Sequence, residues 1–298
     1  MKQEAKPFIK WVGGKTQLLE EIRKYYPSQI EKYCEPFVGG GAVLFDVLSK
    51  KDPKEILIND INSELINTYK QIKENCSGII DKLASLQEKY WTSSLEENKS
   101  LYLEKRERFN ALKVNGNKSE NLEKATLFIF LNKTCFNGLF RVNSKGLFNV
   151  PFNNAKKPLL CDADNLKACS KFLKNVKMSV GSYSQCKDFI DDKTFVYIDP
   201  PYRPLTQTAA FTSYNENAFG DKEQIELAKF IEEISNRKAI VVTSNSDPKN
   251  VCESDTFFDK LYKKFIIKRV SASRMINSNA KKRGAINELL ISNVASVF

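Results

Sequence analysis

The sequence predicts an α/β protein: a doubly wound domain on a parallel sheet, interrupted by a mostly helical insert that carries a β-hairpin. Three observations predict it. Between Ile30 and Asp60 a strand pattern, a glycine turn, a helix pattern and a second strand pattern follow one another. That is a βαβ unit, and it requires parallel strands. The same texture returns between Thr194 and Val242. Between them the chain is polar, rich in Lys and Glu, and helix-patterned from about Ser63 to Lys133. With 298 residues there is room for about two domains. The boundaries drawn are 1–62 with 161–298 for the sheet domain, and 63–160 for the insert.

Each element has its own signal. Leu18, Leu19, Ile22 and Tyr25 recur at helical spacing within Thr16 to Tyr26. Ile30 to Phe37 reads as a strand broken by Val38-Gly39-Gly40-Gly41, and Ala42 to Ser49 as a helix with Val43, Leu44 and Val47 apolar. Glu55 to Ile58 is a short buried strand running into Asn59-Asp60. In the insert, Asn143 to Gly146 is turn chemistry between two strand-like runs, which predicts a hairpin within Phe136 to Val150. Thr194 to Ile198 is a buried strand ending at Asp199. Asp221 with Gln224 signals the start of a helix to about Asn236, its apolar positions being Ile225, Leu227, Ala228, Ile231 and Ile234. Ala239 to Val242 is another strand, and Phe265 to Val270 with Ile286 to Ser292 a closing pair.

Composition narrows the function. There is no histidine, which removes Ser-His-Asp and Cys-His chemistry, His general bases and His-ligated zinc. Seven scattered cysteines without a Cys-x-x-Cys pair fit reduced thiols used as small hydrophobes. No metal site is expected. The start of the chain lacks a signal-peptide core and no stretch approaches a membrane span, so a cytoplasmic protein without membrane contact is expected. The net charge of +11 points to a polyanionic partner, most simply nucleic acid.

Two motifs carry chemistry. Glu35 to Gly41 (Glu-Pro-Phe-Val-Gly-Gly-Gly) stands where a strand hands over to a helix, and glycines there let a ligand approach the backbone. Asp60 follows Gly41 by 19 residues, where a ribose hydroxyl pair is held in nucleoside-binding α/β folds. These features leave NAD and S-adenosylmethionine both open. Lys15 follows a Gly-Gly turn at an expected helix start, a place the helix dipole disfavours for a cation, and this points to a ligand carboxylate nearby. Asp199-Pro200-Pro201-Tyr202 follows a buried strand, at the strand end where open α/β sheets bind ligands. The prolines set the Pro200 carbonyl and the Asp199 carboxylate toward one spot, which suits an amino group, and Tyr202 adds a flat face for a heterocycle.

These residues carry a resemblance. Asp199 to Tyr202 matches the signature of amino-methyltransferases of DNA bases, and the chain resembles the Dam-type DNA adenine N6-methyltransferases along nearly its full length. The likeness lies in Pro7 to Lys15, Glu35 to Gly41, Ile58 to Asn62, Asn132 to Phe152, Asp199 to Tyr202, Ala210 to Tyr214, Thr243-Ser244-Asn245 and Ser271 to Leu290. The motif order is that of the alpha type: cofactor motif, recognition insert, catalytic motif. One departure is Phe136, where some relatives have Tyr. The resemblance implies a Rossmann-like methyltransferase domain, a DNA target-recognition insert, and S-adenosylmethionine as cofactor. It implies Trp11, Lys15, Phe37, Gly39, Gly41, Asp60 and Asp199 as cofactor contacts, and Asp199, Pro200 and Tyr202 as catalytic residues.

The implied chemistry is in-line transfer to the N6 amine of an adenine flipped out of double-stranded DNA. Arg141, on the hairpin, can grip guanine O6 and N7. The resemblance implies the same role for it, with Phe136 and Asn137 holding the opened site. Lys145 and Arg274 join Lys133, Lys156, Lys157 and Lys281 to Arg283 as candidate backbone contacts. GATC is the site the family most often methylates; another GAT-containing site, cytosine N4 and RNA are the alternatives of the same chemistry. An NAD-dependent oxidoreductase leaves Asp-Pro-Pro-Tyr without a role, and a non-catalytic DNA-binding regulator leaves its intactness unexplained. A cognate restriction endonuclease encoded nearby is a partner the resemblance allows, and the oligomeric state is open.

Overall fold

The structure is a computed structural model describing residues 4–204, 219–273 and 285–296. The chain divides into two compact units: Met1–Gly14, Gly39–Lys50 and Asp60–Gly181 in the first, and Lys15–Val38, Lys51–Asn59 and Ser182–Phe298 in the second. Seven strands form one mixed sheet.

The second unit carries most of that sheet. Its strands are β1 (Lys32–Glu35), β2 (Glu55–Asp60, the last residue falling in the first unit), β4 (Thr194–Ile198), β5 (Ile240–Ser246), β6 (Ile266–Ser273) and β7 (Ala285–Ser292). They run in the order β2-β1-β4-β5-β7-β6. The first three pairings are parallel, and β7 runs antiparallel to both of its neighbours. Every residue of β4 is buried, the mark of a central parallel strand covered on both faces. The core joins Cys34, Val196 and Ile198 to Leu227, Ile231 and Ile234 of a helix, and to Leu289 and Ile291 of β7. A short helix, α1 (Leu19–Arg23), lies near the start of this unit.

The first unit holds helices α2 (Ala42–Lys50), α3 (Ser63–Glu74), α4 (Cys76–Thr92), α5 (Leu95–Asn115), α6 (Asn121–Thr134) and α7 (Ala163–Leu173), with strand β3 (Val176–Val180). Helix α6 is buried almost continuously from Ala125 to Asn132 because α3, α4 and α5 all pack on it. A helix that is apolar all round can only stand where neighbours cover every side. Local signals set the helix starts: Asn62 Oδ1 accepts from the Glu64 and Leu65 amides at 3.0 and 3.1 Å, and Ser94 and Glu97 form a reciprocal capping box.

Some sequence expectations need correction. The helix α8 spans Asp221–Asn236 as its spacing predicts, but its start is not capped by Asp221 with Gln224. Glu223 takes the Gly220 amide at 2.9 Å, and Asp221 binds Arg203 instead. Ile225, placed among the apolar positions, is 38% exposed. In the hairpin region the predicted turn forms, with Gly146 donating to the Asn143 carbonyl at 2.8 Å. The flanking runs pair over a short stretch, at the bridges Val142 with Phe148 and Cys135 with Phe152, where the Asn143 amide donates to the Leu147 carbonyl at 2.9 Å and the Asn149 amide to the Arg141 carbonyl at 3.2 Å. Side chains of α5 add to this short ladder. Asn110 bonds both the amide and the carbonyl of Phe148, and Lys113 donates to the Gly146 carbonyl at 2.6 Å. Four of the cysteines are buried, whereas Cys252 is exposed. A further helix, α9 (Phe257–Leu261), precedes β6. No helix among the described residues is long and apolar enough to cross a membrane.

Candidate active site

In the first unit the glycine turn is built around three side chains. Gly39 and Gly41 have φ of 47° and 74°, a region that favours glycine. A Cβ on Gly39 would stand 2.7 Å from Trp11 Cδ1, and one on Gly41 would collide with the Tyr69 hydroxyl. Tyr69 Oη donates to the Gly39 carbonyl at 3.0 Å. The Gly39 amide donates to Asp60 Oδ2 at 3.0 Å, and the Asn62 amide to Asp60 Oδ1 at 2.9 Å. Burial pushes the Asp60 carboxyl up, against the pull of these amides. Trp11 lies between this turn and the aromatic pair Phe128 and Phe140, with centroids 6.5 and 6.3 Å away. Beside Trp11 and Asp60 in the chain, Val12 and Ile61 are 70% and 66% exposed.

In the second unit a polar cluster forms where β4 ends. The Asp199 carboxylate takes the Lys15 ammonium at 2.8 Å and the Ser244 hydroxyl at 3.0 Å, both on Oδ1. Tyr197 Oη lies 2.9 Å from Ser244 Oγ. Because Ser244 gives its proton to Asp199, Tyr197 donates into Ser244. Tyr202 Oη donates to Glu288 Oε2 at 2.8 Å, and Lys15 Nζ stands 4.9 Å from the Tyr202 ring centroid. Gln224, fully buried, donates from Nε2 to the Pro201 carbonyl at 3.0 Å and accepts from Asn245 at 3.2 Å. Arg203 pairs with Asp255 at 2.7 Å and lies over the Phe257 ring. The residues on both sides of the turn are therefore held. Burial pushes the Asp199 carboxyl up, with Lys15 and Ser244 pulling it back. Glu288 is raised chiefly by burial, and the Tyr202 phenol is driven far up by burial and the nearby carboxylates.

The predicted residues thus gather in two groups: Trp11, Gly39, Gly41 and Asp60 in one unit, and Lys15, Asp199, Pro200 and Tyr202 in the other. Lys15 departs from its expected surroundings. It begins a 3-10 turn (Lys15–Leu18), is 3% exposed, and has a protein carboxylate, Asp199, as partner. That pairing accounts for a cation the helix-dipole argument found odd. Phe37 packs on Tyr183 and Phe219 with centroids 5.4 and 5.9 Å away. Phe136, Asn137, Arg141 and Lys145 are exposed on one loop. Asn137 takes φ of 55°, and Arg141 holds Asn149 through Nε and Nη2. Arg274, Lys281 to Arg283 and Ala210 to Tyr214 lie outside the described residues.

Ser244, Glu288 and Asn132 were not among the expected site residues, and Gln224 was read only as part of a helix start. Asn132 is buried, exchanges hydrogen bonds with both backbone groups of Lys10, and donates to the Gly138 carbonyl. The available signal was polarity inside apolar runs: Ser244 on β5, Glu288 on β7 and Asn132 near the end of α6 are polar residues where a strand or helix pattern asks for apolar ones.

Residues 11–276 match the family profile described as D12 class N6 adenine-specific DNA methyltransferase. The chain is 46% identical over 296 residues to the type II methyltransferase M.MjaIII of Methanocaldococcus jannaschii, covering 97% of this chain and 99% of that protein. It is 35% identical to the type II methyltransferase M1.LlaDCHI of Lactococcus lactis subsp. cremoris, covering 97% and 95%. It is 34% identical to the DNA adenine methylase of Escherichia coli, covering 95% and 93%.

Proposed function

The chain belongs to the D12 class of N6 adenine-specific DNA methyltransferases, and from that premise we propose that it methylates an adenine flipped out of duplex DNA, within GATC, using S-adenosylmethionine. The observation that carries this reading is the end of β4. There a carboxylate anchored by Ser244 and Lys15 adjoins a rigid Pro-Pro turn and an aromatic ring.

The chemistry follows from the nucleophile. The lone pair of the adenine amine is delocalised into the ring. Hydrogen bonds from the amine to the Asp199 carboxylate and the Pro200 carbonyl localise it and stabilise the positive charge that develops on nitrogen. The Pro201 carbonyl is engaged by Gln224, so Pro200 supplies the second acceptor. Tyr202 stacks on the base, its hydroxyl tied to Glu288. Asp199 accepts directly from Lys15 and Ser244, with no histidine between.

Residues fit for the cofactor are present. The Asp60 carboxylate accepts the Gly39, Asn62 and Ile61 amides, and its remaining acceptor capacity is proposed for a ribose hydroxyl. Exposed Val12 and Ile61 offer apolar surface to a purine. Trp11, Lys15, Phe37, Gly39, Gly41 and Asp199 complete the proposed set. S-adenosylmethionine, when bound, supplies an electrophilic methyl group. The setting proposed is cytoplasmic, where the DNA is.

Arg141 is proposed to read a guanine with its terminal nitrogens while Asn149 steadies the Nε side. Arg141→Ala is expected to relax discrimination at one base pair by about 10- to 100-fold, with a smaller loss on the preferred site. Rates on oligonucleotides changed one pair at a time measure this; an equal loss on every sequence marks Arg141 as a phosphate contact instead. The function itself is tested by incubating unmethylated DNA with the protein and radiolabelled S-adenosylmethionine, then mapping modified positions and identifying the product nucleoside. N6-methyladenine at GATC is expected. N4-methylcytosine, another site, or transfer to RNA alone overturns the corresponding part.

A further inference from the structure

Glu288 sits on β7 opposite Ser246 of β5 and Val270 of β6. The antiparallel insertion of β7 thereby brings a carboxylate from near the chain's end beside the turn that follows β4. Glu288 Oε2 accepts the Tyr202 hydroxyl at 2.8 Å and lies 4.0 Å from Lys15 Nζ. Lys15 in turn lies 2.8 Å from Asp199 Oδ1 and over the Tyr202 ring. The ammonium therefore stands where the reaction puts the base: it shares Oδ1 of the Asp199 carboxylate with Ser244 and lies over the Tyr202 ring. An adenine stacked on that face of Tyr202 requires Lys15 to move. A charge this buried moves at low cost only to another acceptor of opposite charge, and Glu288 is 4.0 Å away.

We propose that Glu288 is a positioning residue for methyl transfer: it anchors the Tyr202 phenol and takes over the Lys15 ammonium, which frees Asp199 for the amine. The inference rests on the roles given above to Asp199 and Tyr202. The two halves separate by substitution. Glu288→Gln keeps an oxygen for the Tyr202 hydroxyl but removes the charge that draws Lys15. Tyr202→Phe keeps the ring and the charge but removes the anchor.

The experiment is single-turnover methylation of duplex DNA by the full chain and by E288Q, Y202F, K15M and K15M/E288Q, with KM for DNA and cofactor measured alongside. A duplex with 2-aminopurine in place of the target adenine reports base extrusion by fluorescence. E288Q is expected to lower kcat about tenfold, leave both KM values within about twofold, and reduce the fluorescence rise. The deciding result is coupling. In the K15M background there is no ammonium to relocate, so K15M/E288Q is expected to match K15M. A structural role for Glu288 predicts the same loss in both backgrounds, and that result overturns the proposal, as does E288Q within twofold of the unaltered chain. E288Q is isosteric, so the test does not depend on a truncation that fails to fold. If the unaltered chain methylates DNA and E288Q equals it, only this inference falls. If the unaltered chain transfers no methyl group to DNA, the proposed function falls with it.

Discussion

Asp199→Ala is expected to lower kcat by more than about a thousandfold, while duplex DNA affinity stays within a few-fold of the unaltered chain. Asp199 is the one carboxylate at the end of β4 that both Lys15 and Ser244 address. The Ser244 hydroxyl fixes its position before the base arrives, so the carboxylate itself reorganises little at the moment of transfer. In the proposed function, removing the carboxylate deletes the acceptor that meets the positive charge developing on nitrogen. It also leaves Lys15, 3% exposed, without its closest partner; truncating one member of a buried pair is destabilising, so thermal melting is measured beside activity. DNA binding survives because it draws on phosphate and base contacts made elsewhere. Asp199→Asn keeps one acceptor oxygen and is expected to fall between. Near-normal methylation by the alanine variant overturns the role.

The same residue sets the pH response. Burial raises Asp199 above its ordinary value, Lys15 and Ser244 opposing, and Glu288 is raised as well. In the proposed function the ionised form accepts from the amine. Activity is therefore full above the raised value and is lost as pH falls through it, which puts the acid limb of kcat above the ordinary carboxylate range. Because both carboxylates address Lys15, the limb belongs to the cluster and not to either residue alone. A limb at the ordinary Asp value contradicts the burial argument.

Asp60→Ala is expected to weaken cofactor binding by about a hundredfold or more, corresponding to one or two hydrogen bonds to a charged acceptor. The carboxylate has two tasks. It tethers the Gly39 amide, and with it a turn held at positive φ, and it tethers the Asn62 amide at the start of α3. In the proposed function it also holds the ribose. Loss of the tether alone destabilises the fold by about 1–2 kcal/mol, read as a lower melting temperature. Loss of the ribose contact is read by calorimetric titration with S-adenosylhomocysteine. Asp60→Asn keeps a single acceptor oxygen, gives up the amide tether on the other, and is expected to fall between in both affinity and stability. Affinity within threefold of the unaltered chain for Asp60→Ala removes Asp60 from the cofactor set.

Legibility differed from element to element for physical reasons. Strand β4 and helix α8 were readable because each buries a face against the core, and burial selects an apolar run or an apolar stripe. Helix α7 and strand β3 were not anticipated. Strand β3 reads Val-Lys-Met-Ser-Val and only Val176 is buried, so it carries no apolar run to signal it. The hairpin was legible from its turn residues, but not its length or its support: the paired flanks are short, and Asn110 and Lys113 from α5, more than thirty residues upstream, add to what holds them. Lys15 stood out as anomalous, but its pairing with Asp199 could not be read, because spacing cannot reveal a carboxylate 184 residues away in the chain.

By itself, then, the sequence determined the α/β order, the glycine turn with its acidic follower, and the Asp-Pro-Pro-Tyr strand end, all features written in neighbouring residues by backbone conformation and local burial. Tertiary structure alone decided the partners at the end of β4. Lys15 and Ser244, which address Asp199, and Glu288, which takes the Tyr202 hydroxyl, come from a 3-10 turn, β5 and β7. Only the parallel crossovers and the antiparallel insertion of β7 gather them there. Charges and hydroxyls carry no periodic signature, so their pairing is set by the packing of distant segments.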